Sequence, residues 1–164
     1  MNGNCHFILG AGVAAAAIIT TEPNIDMATG LASMTLLGSI FPDIDNPNSH
    51  FGQLTKPVSS VICSIGEKFG KKGSNHRGIF HDIVLYGVGL FLCIYFNLAL
   101  MWFFIGALSH LFLDCMNPAG IPIILGMGKF RILKFKSGDI GSIILTWITT
   151  FLVVFGACYF KYLM

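Results

Sequence analysis

Apolar residues run along this chain in long blocks, and each break between blocks falls at a proline, an asparagine or a cluster of charge. The first block, Phe7 to Thr21, has no positive charge ahead of it and reads as a retained helix rather than a signal-peptide core; it ends at Glu22-Pro23-Asn24. The second runs from Met27 to Phe41 and is closed by Pro42. Each is about 15 residues, roughly 22 Å as helix against roughly 30 Å of hydrocarbon. This pair therefore either spans a thinned bilayer or enters and leaves on one side.

Residues 42 to 57 form a polar loop with Pro42, Pro47 and Pro57, and Val58 to Phe69 has the mild amphipathicity of a helix lying at a membrane interface. The stretch from His81 to Met116 would be roughly 54 Å long as one helix, too long for a single span. Asn97 divides it into spans of 81 to 96 and 98 to 116. Beyond Pro118 the segment 121 to 139 mixes apolar and basic residues, and FRILKF (130 to 135) suits a short strand or an interfacial strip. The last block, Ile140 to Tyr159, ends in the interfacial anchors Tyr159, Lys161 and Tyr162. The expected fold is an all-α integral membrane protein, a single domain over 1 to 164 with about five membrane helices, the first two of them short.

Composition makes the membrane reading firm. The chain is 54% hydrophobic and only 11% charged, with a mean hydropathy of +0.74, whereas a soluble surface needs about 25% charged residues. A net charge of +2 gives no reason to expect a nucleic acid partner. Cys5, Cys63, Cys93, Cys115 and Cys158 lack any CxxC spacing and read as small buried hydrophobes. With five crossings, Lys161 is alone on one face, and the other nine of the 10 Lys and Arg share the opposite face. The positive-inside rule then puts the N-terminus and both long loops in the cytoplasm, in a cell membrane protein.

The same bookkeeping gathers the chemistry. His6 heads the first helix, Asp43 and Asp45 follow the second, His76 and His81 open the third, and His110 and Asp114 end the fourth. All are expected at the cytoplasmic face. His110 and Asp114, four apart on one helix, stack on one side of it, and an ionisable residue in a membrane needs a partner or a task. Imidazole and carboxylate together suit a borderline divalent ion, zinc first and manganese or iron next, and the number of donors suits one ion or two. Taken singly, each residue also has a plain structural reading: His6 as a cap, Asp43 and Asp45 as a polar turn, His50 as a loop contact and Asp82 as a helix-start charge.

The blocks GSIFPDIDNPNSHFG, NHRGIFHD and GALSHLFLDCMNPAGIPIILG, in this order, resemble the membrane-bound metal-dependent hydrolase family that includes the YdjM-type inner-membrane proteins. The family's LLPDIDHP maps onto Leu37 through Pro47, its HRGxTHS onto His76, Arg77, Gly78, His81 and Asp82, and its last block onto His110, Asp114 and Pro118-Ala119-Gly120. Asn46, Phe80, Asp82 and Asn117 depart from its usual residues, while the ligand positions His6, Asp43, Asp45, His76, His81, His110 and Asp114 are intact. The resemblance implies hydrolysis and names no substrate.

The expected mechanism is attack by metal-activated water, with Asp43, Asp45 or Asp114 as general base and Arg77 holding phosphoryl oxygens. Membrane lipids and an amphiphilic or phosphorylated substrate are the expected partners. Two other readings use the same residues: a non-catalytic membrane protein stapled by a structural metal, and a metal or proton transporter. The second would need charged groups in the far halves of the spans, which the sequence lacks.

Overall fold

The computed structural model describes residues 3–69, 79–123, 130–133, 136 and 138–164. Among them the regular elements are helical, apart from one antiparallel bridge between Ile121 and Phe130. That bridge is what the described part of the FRILKF strip contributes; Lys134 and Phe135 lie outside the described residues.

Helix α1 (Gly3–Thr21) begins earlier than the apolar run, at Gly3 rather than Phe7. It stops at Glu22, whose φ of 45° turns the chain into Pro23. Asn24 then caps α2 (Ile25–Ile40), its side chain accepting from the Met27 amide. Pro42 does not end this helix outright. It sits in the first turn of a 3-10 helix, Phe41–Asp45, where a missing N–H costs least. Ile25–Asp45 thus forms a continuous 21-residue helical stretch, and with the 19 residues of α1 both are long and apolar enough to cross a membrane. The shortness expected of the first two helices belongs instead to α5 (Ile83–Tyr95) and α6 (Met101–Cys115). Asn97, with φ 53°, makes the tight turn between them, and asparagine is among the few residues that tolerate that conformation.

Between these two hairpins lie α3 (His50–Leu54), capped by the Ser49 hydroxyl, and the amphipathic α4 (Lys56–Phe69). The last helix, α7 (Ile140–Leu163), is also long and apolar enough to span. The described protein is therefore an all-α membrane protein with three candidate spans and two shorter apolar helices.

Helix α6 lies against α2, α5 and α1, while α7 packs on α1. Where α2 meets α6, a Cβ on Gly38 would fall 2.0 Å from the Phe103 carbonyl oxygen, and one on Gly106 would fall 2.1 Å from that of Thr35. Only glycine lets the two backbones come so close, the usual device for helix contact where burial from water supplies no drive. Tyr86, Ala107, Leu111, Cys115 and Ile121 form a buried apolar cluster beside this crossing. At the opposite end, the Lys161 ammonium donates to the Glu22 carboxylate and ties α7 to the α1–α2 turn. That hydrogen bond, reinforced by the lysine's charge, holds the Glu22 carboxyl below its usual range.

Candidate metal centre

The start of α1, the 3-10 helix after α2, the start of α5 and the end of α6 meet at one end of the bundle, and each delivers a side chain. His6, His81, His110 and Asp114 are 0–1% exposed, and Asp43, at 13%, is the one most open to the outside. Four of the donor atoms face one another: Asp43 Oδ1 lies 3.8 Å from both His81 Nε2 and His110 Nε2, and Asp114 Oδ2 lies 3.5 Å and 3.8 Å from the same two nitrogens. Good hydrogen bonds between such groups are shorter, about 2.7–3.2 Å. A tetrahedral ion with bonds of about 2.1 Å would instead separate its ligands by about 3.4 Å. The spacing is that of ligands around a centre rather than of partners in a pair.

The outer atoms of the imidazoles are held in the way metal-binding histidines require. Ser39 lies in the last turn of α2, where carbonyls run out of helical partners, and His110 Nδ1 lies 2.7 Å from its oxygen. A carbonyl only accepts, so Nδ1 carries the proton and Nε2 is left facing the two aspartates. The close α2–α6 crossing at Gly38 and Gly106 is what brings this carbonyl within reach of α6. On the other ring, His81 Nδ1 stands 3.3 Å from Asp45 Oδ2. Carboxylate, imidazole and inner nitrogen then lie in series, the arrangement that orients a ligand and raises its basicity.

His6 stacks on His110 with ring centroids 3.6 Å apart and planes 12° from parallel, and its Nε2 is 3.5 Å from Asp114 Oδ1. Among the described residues, both nitrogens of His6, and Nε2 of His110, are buried without a hydrogen-bond partner. Buried imidazole nitrogens aimed at carboxylates fit a cation, which would turn repulsion between Asp43 and Asp114 into shared attraction. Two overlapping sets could hold an ion, His6 with His110 and Asp114, and Asp43 with His81 and His110. His110 belongs to both sets but has one inner nitrogen to give.

Of the residues singled out in the sequence, the structure brings together His6, Asp43, Asp45, His81, His110 and Asp114, while His76 and Arg77 lie outside the described residues. Asp43 and Asp45 reach the site from the 3-10 helix that continues α2. In the 3-10 turn they approach His81 at its opposite nitrogens. His81 falls in a short 3-10 turn (Ile79–His81) just ahead of α5, not in its first turn. Asp82 is the cap of α5 and accepts from the Val84 and Leu85 amides, in keeping with a helix-start role. The Ser39 carbonyl could not have been found by motif, because a backbone oxygen leaves no mark in the residue type.

Comparison with known proteins places the chain. A family model described as "YdjM inner membrane protein" matches residues 1–162. The chain is similar to the proteins named "Inner membrane protein YdjM" from Escherichia coli (strain K12) and from Shigella flexneri. Each is 32% identical over 98 residues, covering 54% of this chain and 45% of the relative. The match thus spans a little under half the length of those curated relatives. No solved structure matches.

Proposed function

The chain belongs to the YdjM inner membrane protein family, and from that premise we propose that it is a metal-dependent hydrolase of the membrane acting on a phosphoester or lipid-linked substrate. The observation that carries this reading is the convergence of Asp43 Oδ1, His81 Nε2, His110 Nε2 and Asp114 Oδ2 at 3.5–3.8 Å.

In this reading His81, His110 and Asp114 hold the ion, a two-histidine, one-carboxylate set of the kind that leaves a fourth position open in catalytic zinc sites. A divalent ion there, zinc first and manganese or iron next, would bring the pKa of water towards neutrality and polarise the substrate's oxygen. Asp43, at the fourth corner and the most accessible of the group, takes the proton as general base. Asp45 and the Ser39 carbonyl fix the two imidazoles, and His6 steadies the far oxygen of Asp114 or shares it with a second ion. Arg77, with its planar fork of donors, is assigned to the phosphoryl oxygens, and His76 is assigned as a further metal ligand. The distribution of basic residues supports a cytoplasmic position for this end of the bundle.

The geometry of Asp43 also sustains a second reading. Equidistant from His81 and His110, it could itself be a fourth ligand, which would close the site and make the metal structural. Metal content and hydrolysis of chromogenic phosphomonoesters and phosphodiesters, measured on the wild type and on Asp43→Asn, separate the two. Catalysis predicts that the variant keeps its metal and loses about 100-fold or more in turnover. A metal-loaded wild type with no turnover on any ester, or a variant that sheds its ion, supports the structural reading.

A further inference from the structure

Asp43 is the side of the site that opens outward, and what it opens onto is a cavity of about 160 Å³ between the first turns of α1 and the short helix α3. Its lining mixes the polar Asn4, Asp43 and His50 with Phe7, Ile40, Phe51 and Leu54, and most of it is apolar. Of the apolar lining residues, Phe7 is 49% and Leu54 83% exposed. Phe7 belongs to a helix long and apolar enough to cross the bilayer, so the cavity's apolar rim lies where lipid chains end and headgroups begin. Val58 and Val61 of α4, also exposed, continue the apolar surface beyond Leu54. Gly3 leaves room beside His50: a Cβ there would already press on the His50 ring at 3.3 Å.

We infer that this cavity is the lateral doorway of the site and that it takes the hydrocarbon chain of a membrane amphiphile while the phosphate-bearing headgroup lies at Asp43. This deepens the hydrolase reading and rests on it. A soluble substrate would call for a polar passage, whereas the way past Asp43 is walled by two phenylalanines, an isoleucine and a leucine. Amphiphiles fit because one cavity joins a carboxylate and its polar neighbours to a mostly apolar wall, as a lipid joins headgroup to chain. His50, on this account, is a headgroup contact rather than a metal ligand.

The experiment uses the full chain in phosphatidylcholine vesicles carrying a trace of phosphatidic acid with a diazirine in its acyl chain. After illumination, adducts are mapped by mass spectrometry and the metal content of the same sample is measured. The expected result is several-fold more adduct at Phe7, Ile40, Phe51 and Leu54 than at the lipid-facing Phe151 and Phe155 of α7, and loss of that preference in Leu54→Asp with metal content unchanged. Leu54 is exposed, so the substitution leaves the fold intact. Adducts spread evenly over cavity and α7, or a preference that Leu54→Asp leaves untouched, overturn the inference. Cavity labelling in a chain that holds no metal after zinc, manganese or iron is supplied would instead keep the lipid site and sink the hydrolase.

Discussion

Helices α6 and α7 are both apolar enough for a membrane, yet they are built in opposite ways. In α6 the buried positions are Gly106, Ala107, Ser109, His110, Leu111, Leu113, Asp114 and Cys115, nearly the whole second half of the helix. In α7 they are Ser142 and Thr146, and Trp147, Phe151 and Phe155 stand exposed to what would be lipid. The difference shows what an apolar sequence means in each place. On α7 the large apolar residues are a lipid-facing surface, and the helix touches the protein through a stripe of small hydroxyl residues, with Gly12 of α1 set against Thr150. In α6 packing on several sides leaves no lipid for the polar groups to meet, so a histidine and an aspartate can sit inside. One helix is a wall of the site, and the other is a strut against α1.

A substitution does most damage at the α2–α6 crossing. Gly106→Leu must push a side chain into the Thr35 backbone, where even a Cβ would come within 2.1 Å. We expect a loss of about 3 kcal/mol or more of stability and of metal with it, because His110 leaves the Ser39 carbonyl; thermal unfolding in detergent and metal content report the two. A smaller effect belongs to Asp45→Asn, which keeps the shape of the side chain and weakens its hold on His81. Metal affinity should fall about 10- to 100-fold with the fold unchanged, as read by competition with a chelator of known strength. The smallest belongs to α7, where Thr146→Val removes a hydroxyl bonded at 2.8 Å to Ser142 of its own helix. A change of about 0.6 kcal/mol or less is expected, with metal binding untouched. A loss of metal in that variant would mean that α7 is part of the site after all.

Much of this arrangement was legible in the sequence because it was written in helix ends. Pro23, Pro42 and Asn97 marked the turns, and counting crossings from them brought His6, Asp43, Asp45, His81, His110 and Asp114 to one level. The structure places these six together. What the pattern could not convey were features with no side-chain signal of their own. The apolar run of α1 does not reveal that the helix already begins at Gly3. The proline at 42 reads as a stop but serves as the first turn of a 3-10 helix, and this alters how Asp43 and Asp45 divide their attention around His81. The tautomer of His110 depends on a backbone carbonyl, and the closeness of α2 and α6 on two glycines that look unremarkable among the 19 in the chain. Hydropathy reports that a helix is apolar; it does not report whether lipid or protein covers it.

Whether these side chains hold a divalent ion is answered by elemental analysis of the detergent-purified protein beside His110→Ala and Asp114→Ala. About one or two zinc, manganese or iron ions are expected per wild-type chain, lost from both variants while they stay folded and monodisperse. A wild type that remains metal-free after each of these ions has been supplied would contradict a metal site, and His110 and Asp114 would then be a buried polar pair that serves only to hold α6 in place.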